Sequence, residues 1–232
     1  MQRSLDKEMM DLPGNADSLL EEDLANLRTI NRYLGAYRGL LSCLDRLAQS
    51  DRTRTLSLLD MGTGSGDVPV AVVQWAKQRG ISVRAVGLEP NPVTARLAKT
   101  QTKDFPEISI VMGDAFSPPF SYSSFDFVFT SQVLHHFSEQ EIILLLRTWS
   151  KFARRGILVS DLIRHPLAYL GIRLLTRLFT RNPMTRMDGP LSVRRAFTMR
   201  EWRDLFNQAT VGPFQLRHLF PFRVFALFEI GK

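Results

Sequence analysis

Three closely spaced glycines follow a short apolar segment of the sequence. Gly62, Gly64 and Gly66 come directly after residues 56–61, and Asp60 stands just before them. Because glycine lacks a Cβ, the chain can turn sharply here and a ligand can approach the backbone closely. The N–H groups of a helix beginning after this turn would face an anionic group of the ligand. The pattern predicts a nucleotide-like ligand at the end of a strand.

Two further acidic residues follow the next two apolar segments. Glu89 lies 23 residues beyond Gly66, where its carboxylate could accept both hydroxyl protons of a ribose, and Asp114 could accept from an adenine amino group. The glycine spacing is not that of the dinucleotide fingerprint, because Asp67 stands where its third glycine belongs. No Gly-Lys-Ser/Thr follows, which excludes a Walker-type phosphate loop.

Strand and helix patterns alternate along the middle of the chain, as expected for parallel βαβ units with helices on both sheet faces. Predicted strands cover 56–61, 83–88, 108–111, 125–130, 156–160, 215–219 and 222–230. Predicted helices cover 18–34, 36–48, 68–79, 92–99, 139–152, 166–180 and 200–208. The last two strands indicate a terminal antiparallel hairpin. We expect a helical cap at 1–50, a ligand-binding domain at 51–232, and a helical insertion within it at 164–197.

Composition narrows the classes of protein that this chain can be. Its 232 residues are 44% hydrophobic, which suffices for a packed core. The sequence contains no apolar run of 18 residues, so it predicts no transmembrane helix. The single cysteine, Cys43, excludes an intrachain disulfide and a cysteine-based zinc site. We expect a cytoplasmic protein. Its net charge is +7, and residues 147–223 carry +11 against −4 for the remainder. This asymmetry favours an acidic partner or surface.

Five motifs in order resemble the class I S-adenosylmethionine (SAM)-dependent methyltransferases. They are Leu58-Leu59-Asp60-Met61-Gly62-Thr63-Gly64-Ser65-Gly66, Gly87-Leu88-Glu89-Pro90, Gly113-Asp114-Ala115, Ser124-Phe125-Asp126-Phe127-Val128 and Val133-Leu134-His135-His136-Phe137. The resemblance spans about residues 56–161 and is greatest to the small-molecule branch that includes quinone-biosynthesis methyltransferases. It implies an α/β, doubly wound, Rossmann-like sheet of seven strands, mostly parallel with the last antiparallel. It also implies SAM as cofactor and S-adenosylhomocysteine as product.

The resemblance assigns roles to ten cofactor-binding residues. The glycine loop and Asp60 would hold the aminocarboxypropyl end, Glu89 the ribose, and Asp114 with the Ala115 backbone the adenine. The implied set is Asp60, Gly62, Thr63, Gly64, Gly66, Glu89, Pro90, Asp114, Ala115 and Ser131. Some relatives bind a metal through carboxylates after the fourth strand. Ser131 and Gln132 stand in that region here, so we expect no metal.

Three histidines are candidate catalytic bases for a hydroxyl acceptor, since histidine titrates near neutral pH. His135 and His136 follow the fourth predicted strand, and His165 follows the fifth. Asp161 could orient His165, four residues away in sequence.

The expected reaction is methyl transfer to a hydrophobic small molecule, most simply the hydroxyl of a phenol, quinol or polyketide-like compound of secondary metabolism. Methylation of a carbon in a similar acceptor uses the same site and stays open. The high arginine content also keeps an RNA or other nucleic-acid methyltransferase open. However, residues 130–133 read Thr-Ser-Gln-Val, unlike the Asn-Pro-Pro-aromatic motif of base-amino methyltransferases. A non-catalytic SAM-binding subunit is the third alternative.

The arginine-rich insertion is the expected place for substrate recognition. Its predicted helix at 166–180 has an apolar face that could cover a hydrophobic acceptor and a row of arginines that could meet an anionic group or a lipid surface. We therefore expect a small-molecule partner that can be anionic, no nucleic acid, and peripheral membrane contact as a further candidate. Monomer and homodimer both stay open.

Overall fold

The computed structural model describes residues 1–12, 14–50 and 55–231. Seven strands form one sheet: β1 (Thr55–Met61), β2 (Ser82–Glu89), β3 (Ile108–Met112), β4 (Phe125–Ser131), β5 (Ala153–Leu162), β6 (Phe214–Leu219) and β7 (Arg223–Glu229). The α-helices are α1 (Asp17–Tyr33), α2 (Arg38–Ser50), α3 (Asp67–Arg79), α4 (Pro92–Thr102), α5 (Glu139–Ser150), α6 (Pro166–Phe179), α7 (Pro183–Arg195) and α8 (Met199–Ala209). The expected domain boundary lies between residues 50 and 51, next to residues 51–54, which lie outside the described residues.

The sheet has the strand order β3-β2-β1-β4-β5-β7-β6. β1 to β5 are parallel, and β7 runs antiparallel between β5 and β6, which confirms the predicted doubly wound α/β fold. The strand order reverses between β1 and β4. In open α/β sheets, ligands bind at such a reversal, outside the carboxyl ends of the strands. The topology therefore places a crevice beside the glycine loop.

The core explains why these segments fold as they do. The central strands β1 and β4 are mostly buried along both faces, as in parallel sheets generally. On α5, Ile142, Leu145, Leu146 and Trp149 recur at helical spacing and are all buried. Leu40 and Leu44 of α2 belong to the same buried cluster as strand residues of the sheet. The second N-terminal helix is therefore part of the sheet's own core.

The insertion after β5 contains a second helix that the sequence did not predict. α7 includes Pro190 within the helix, next to Gly189, and has almost no separation of apolar and polar faces. The two ends of the insertion are held together. Ile163 forms an isolated β-bridge with Phe197, and the N–H of Arg164 donates to the carbonyl of Phe197 at 2.9 Å. Across the described residues, no helix combines the length and apolar character needed to cross a bilayer.

Candidate active site

A cleft of about 560 Å³ lies at the carboxyl ends of β1, β2 and β4. Gly62, Gly64 and Gly66 all have positive φ, which side chains other than glycine rarely adopt. A Cβ on Gly62 would lie 2.6 Å from Val133 Cγ2, whereas a Cβ on Gly64 would meet nothing within 4 Å. Gly62 therefore allows close internal packing, and Gly64 leaves open space on the side of the cleft.

Asp60 is a buried carboxyl group with one oxygen unused. Its Oδ2 accepts from the Thr63 hydroxyl at 2.7 Å, while its Oδ1 has no hydrogen-bond partner among the described residues. Burial raises the pKa of this carboxyl well above its usual range. A cationic ligand group beside Oδ1 would satisfy the free oxygen and favour the ionised form. An amino group of the kind that SAM carries suits this position.

Glu89 lies at the end of β2 and lines the same cleft. Its two oxygens accept from the backbone N–H groups of Gly64 at 3.0 Å and Asn91 at 3.1 Å. Burial raises the pKa of Glu89 to about 7, because these two hydrogen bonds only partly offset the loss of solvent. A carboxylate retains further lone pairs, so it can also accept from a vicinal diol.

The structure brings most of the expected cofactor residues together. Seven line the cleft: Asp60, Gly62, Thr63, Gly64, Glu89, Pro90 and Ser131. Gly66 lies outside this lining and is the residue that precedes α3. Asp114 is exposed and its Oδ1 accepts from the Phe116 N–H, while the Ala115 carbonyl accepts from the Trp149 indole. Neither lines the cleft, so their adenine-binding roles stay predictions.

His135 lies between two carboxylates at one side of the cleft. Its Nδ1 is 2.7 Å from Asp161 Oδ1, and its Nε2 is 3.6 Å from Glu8 Oε1. Burial lowers the pKa of this imidazole, but the two carboxylates outweigh burial and raise it to about 9. His135 is thus protonated at neutral pH in this arrangement and is not free to accept a proton.

His136 and His165 occupy different surroundings. His136 lines the cleft with its side chain 18% exposed, and its Nδ1 is 2.9 Å from Asp11 Oδ2. His165 lies outside this lining, where its Nδ1 accepts from the Leu167 N–H at the start of α6 and its ring stacks on Phe222. The expected pairing of Asp161 with His165 is wrong, because Asp161 instead contacts His135.

The N-terminal segment contributes acidic groups that sequence reasoning missed. Glu8 and Asp11 reach the adjacent histidines from more than 120 residues away in sequence. Arg195 helps to hold this arrangement by donating to the backbone carbonyls of His135 and His136. Glu8, His135 and His136 each offer a ligand atom, and these atoms all lie within 4.8 Å of one another. Among the described residues, this is the group that could hold a metal ion.

A second cavity of about 290 Å³ adjoins the cleft, and the two share four lining residues, including Asn31, Gln132 and Ser192. Its walls are mainly apolar and come from α1, α6, α7 and the residues around Pro221. Arg223 is its one charged lining residue among those described. The arrangement joins a polar, glycine-lined cleft to an apolar chamber.

Comparison with known proteins identifies the polar half of this arrangement. Residues 59–158 match the family described as a methyltransferase domain. This matched segment is less than half of the chain and contains the glycine loop, Asp60 and Glu89. The free oxygen of Asp60, the open side of Gly64 and the volume of the cleft all fit SAM as the cofactor.

Individual relatives show the extent of the likeness. The chain is 33% identical over 87 residues to norajmaline N-methyltransferase from Rauvolfia serpentina, covering 37% of this chain and 28% of that enzyme. The structure of human N-acetylserotonin methyltransferase in complex with SAM superposes with a TM-score of 0.64 at 19% identity, covering 94% of this chain and 57% of the other. The structure of the citrinin polyketide synthase CMeT domain superposes with a TM-score of 0.57 at 14% identity. This superposition covers 77% of this chain and 47% of the other. The chain thus spans less than two thirds of each, and the structural likenesses establish the fold alone.

Proposed function

We propose that this chain transfers the methyl group of SAM to a hydrophobic small molecule, at the hydroxyl of a phenolic, quinol or polyketide-like acceptor. The observation that carries the proposal is the apolar cavity adjoining the cofactor cleft. Small-molecule sites are typically concave and apolar, with a few polar groups that fix orientation. We propose as well that the chain is related to the small-molecule branch that includes quinone-biosynthesis methyltransferases.

Arg223 supports an acceptor with an acidic group. It is 2% exposed, its Nη2 donates to Asn31 Oδ1 at 3.2 Å, and its Nη1 has no hydrogen-bond partner among the described residues. Burial lowers its pKa to about 10, so the guanidinium is still charged at neutral pH. An incompletely paired buried charge is costly. A phenolate, acidic enol or carboxylate of the acceptor would complete its hydrogen bonds.

The protein's task in this reaction is mainly to position the acceptor and exclude water. When bound, SAM supplies an electrophilic methyl group on a good leaving group. The apolar walls from α1, α6 and α7 would hold the acceptor, with the shared residues Asn31 and Gln132 lying where the two cavities meet. The acceptor oxygen forms the new bond to the methyl carbon, and its proton must leave to a base.

We assign that base to His136 as part of the same proposal. Both histidines line the cofactor cleft between two carboxylates, but the side chain of His136 is 18% exposed, whereas that of His135 is 2% exposed. With Asp11 accepting from Nδ1–H, Nε2 of His136, which lies 3.8 Å from Glu8 Oε2, is the atom that would accept the proton. His165, in contrast, accepts the Leu167 N–H and lies outside the lining of both cavities.

Filling the apolar cavity tests the proposal. Gly171 lines it, and a Cβ there would meet nothing within 4 Å, so Gly171→Phe can be introduced without a backbone clash. Turnover would be followed with methyl-labelled SAM and a panel of phenols, quinols and polyketide-like compounds, with products located by mass spectrometry and NMR. Gly171→Phe should lose turnover yet bind S-adenosylhomocysteine normally, and Gly171→Ala is the matched control.

Three outcomes are informative. Full turnover by Gly171→Phe would show that the acceptor does not bind in this cavity. A product methylated on carbon would replace the hydroxyl assignment by the alternative that the name of the polyketide-synthase CMeT relative supports. If RNA is methylated and none of the small molecules is, a nucleic acid would replace the small molecule as the proposed acceptor.

A further inference from the structure

The outward face of α6 carries large apolar side chains in contact with solvent. Leu167, Leu170, Leu174 and Leu178 are each more than half exposed. Their spacing of three and four residues places them on one side of the helix. Phe179, the last residue of α6, is also 78% exposed. Contiguous exposed apolar surface of this kind usually marks an interaction site.

A row of arginines runs along one flank of this leucine strip. Arg173, Arg177 and Arg181 recur every four residues, are exposed, and form no ion pair within the described part of the chain. Asp188 is the one acidic residue in positions 166–195. It is buried and accepts from the backbone N–H groups of Met9 and Met10. The exposed surface of α6 therefore combines leucines with uncompensated positive charge.

The inward side of α6 is already occupied. Ile172 and Thr176 face α7, where a Cβ on Gly189 would lie 3.2–3.3 Å from their side chains. Ile172 and Leu175 also line the apolar cavity, and so does Leu167 at the first turn, whereas Leu170, Leu174 and Leu178 of the strip do not. The helix is thus fixed to the protein by one side, and only its leucine strip lacks a partner among the described residues.

We propose that the leucine strip of α6 docks onto an anionic lipid bilayer. A helix with leucines on one face and flanking arginines lies in the plane of a membrane interface, with the leucines among the acyl chains and the guanidinium groups near phosphates. A two-fold dimer through the same face is less favourable, because it would bring two rows of arginines together without acidic partners. The docked helix would be the outer wall of the proposed acceptor cavity.

Vesicle co-sedimentation of the full chain tests this inference. Vesicles of phosphatidylcholine alone would be compared with vesicles containing phosphatidylglycerol, at low and high salt. Because each basic residue near an anionic surface is worth about a fivefold change in partition coefficient, Arg173→Gln/Arg177→Gln/Arg181→Gln should weaken binding to anionic vesicles about 100-fold. The same triple variant should bind neutral vesicles as the wild type does.

A second triple variant removes the apolar contribution. Leu170→Ser/Leu174→Ser/Leu178→Ser alters side chains that line neither cavity, so binding of S-adenosylhomocysteine should persist and report correct folding. Its vesicle binding should be lost. Leu144→Ser changes a leucine of similar exposure on α5 and should bind vesicles normally.

The inference is overturned if the wild type fails to bind anionic vesicles. It is also overturned if the leucine variant binds them as well as the wild type does. Light scattering after size exclusion covers the remaining case: a stable wild-type dimer that the leucine variant splits would assign the leucine strip to a second copy of this chain. Each readout is independent of acceptor turnover, so a failed acceptor proposal would leave this result interpretable.

Discussion

Binding of S-adenosylhomocysteine should depend on pH through Glu89. Burial raises the pKa of this carboxyl from 4.5 to about 7 in the ligand-free protein. Acceptance of both ribose hydroxyl protons needs the ionised form. Protonation therefore competes with binding as the pH falls below 7, and binding is unaffected well above it. An ordinary exposed glutamate is fully ionised throughout this range and would give no such pH dependence.

The size of the effect follows from the fraction of Glu89 that is ionised. With a pKa of about 7 that fraction falls from about nine tenths at pH 8 to about one tenth at pH 6, so the apparent Kd should rise about tenfold. At pH 7, binding should release about half a proton. Calorimetric titration in buffers of different ionisation enthalpy measures both quantities.

Glu89→Gln is the control for other titrating groups. The amide keeps the shape of the side chain but cannot ionise, so any pH dependence that persists belongs to the ligand or to Asp60. The variant should bind about 10- to 100-fold more weakly at pH 8, because hydrogen bonds to a charged group are worth roughly 1.5–3 kcal/mol. Equal pH dependence in wild type and Glu89→Gln would refute the ribose assignment and the reasoning from burial.

Three further outcomes are expected. His136→Gln should lower kcat about 100-fold or more while sparing S-adenosylhomocysteine binding. His165→Gln should keep kcat but lose about 1 kcal/mol of unfolding free energy, because it removes the cap of α6. Equal losses of kcat in the two variants would contradict the assignment of the base to His136. In thermal unfolding, Gly62→Ala should be more destabilising than Gly64→Ala, because only the former adds a clash to the strain of positive φ. Dialysis against a chelator should leave turnover unchanged; a stoichiometric metal lost together with activity would instead assign ligands around Glu8.

The cofactor side of the site could be predicted because its determinants are local. Each expected residue ends a strand or begins a turn, and parallel strands bring their carboxyl ends to one edge. The register pairs Met61 with Leu88, so Asp60 and Glu89 lie on neighbouring strands beside the glycine loop. Strand alternation and glycine spacing thus suffice to place Asp60, Gly64 and Glu89 in one cleft.

The histidine surroundings could not be predicted in the same way. Glu8 contacts His135 across 127 positions of sequence, and no periodic pattern records such a contact. Proximity in sequence was misleading for Asp161 and His165. β5 ends at Leu162, and His165 turns away to begin α6, so the two side chains separate. Asp161 then pairs with a histidine that follows a different strand.

The two halves of the site also differ in what relatives can reveal about them. The matched segment 59–158 contains the glycine loop, Asp60 and Glu89. Of the residues that line the apolar cavity, Gln132 alone lies within that segment, and the rest come from α1, the end of β5, the 164–197 insertion and the turn before β7. The family match therefore carries no information about the walls of the apolar cavity. Under the proposed function, the acceptor is to be sought with variants of residues such as Gly171 and Arg223, which lie outside that segment.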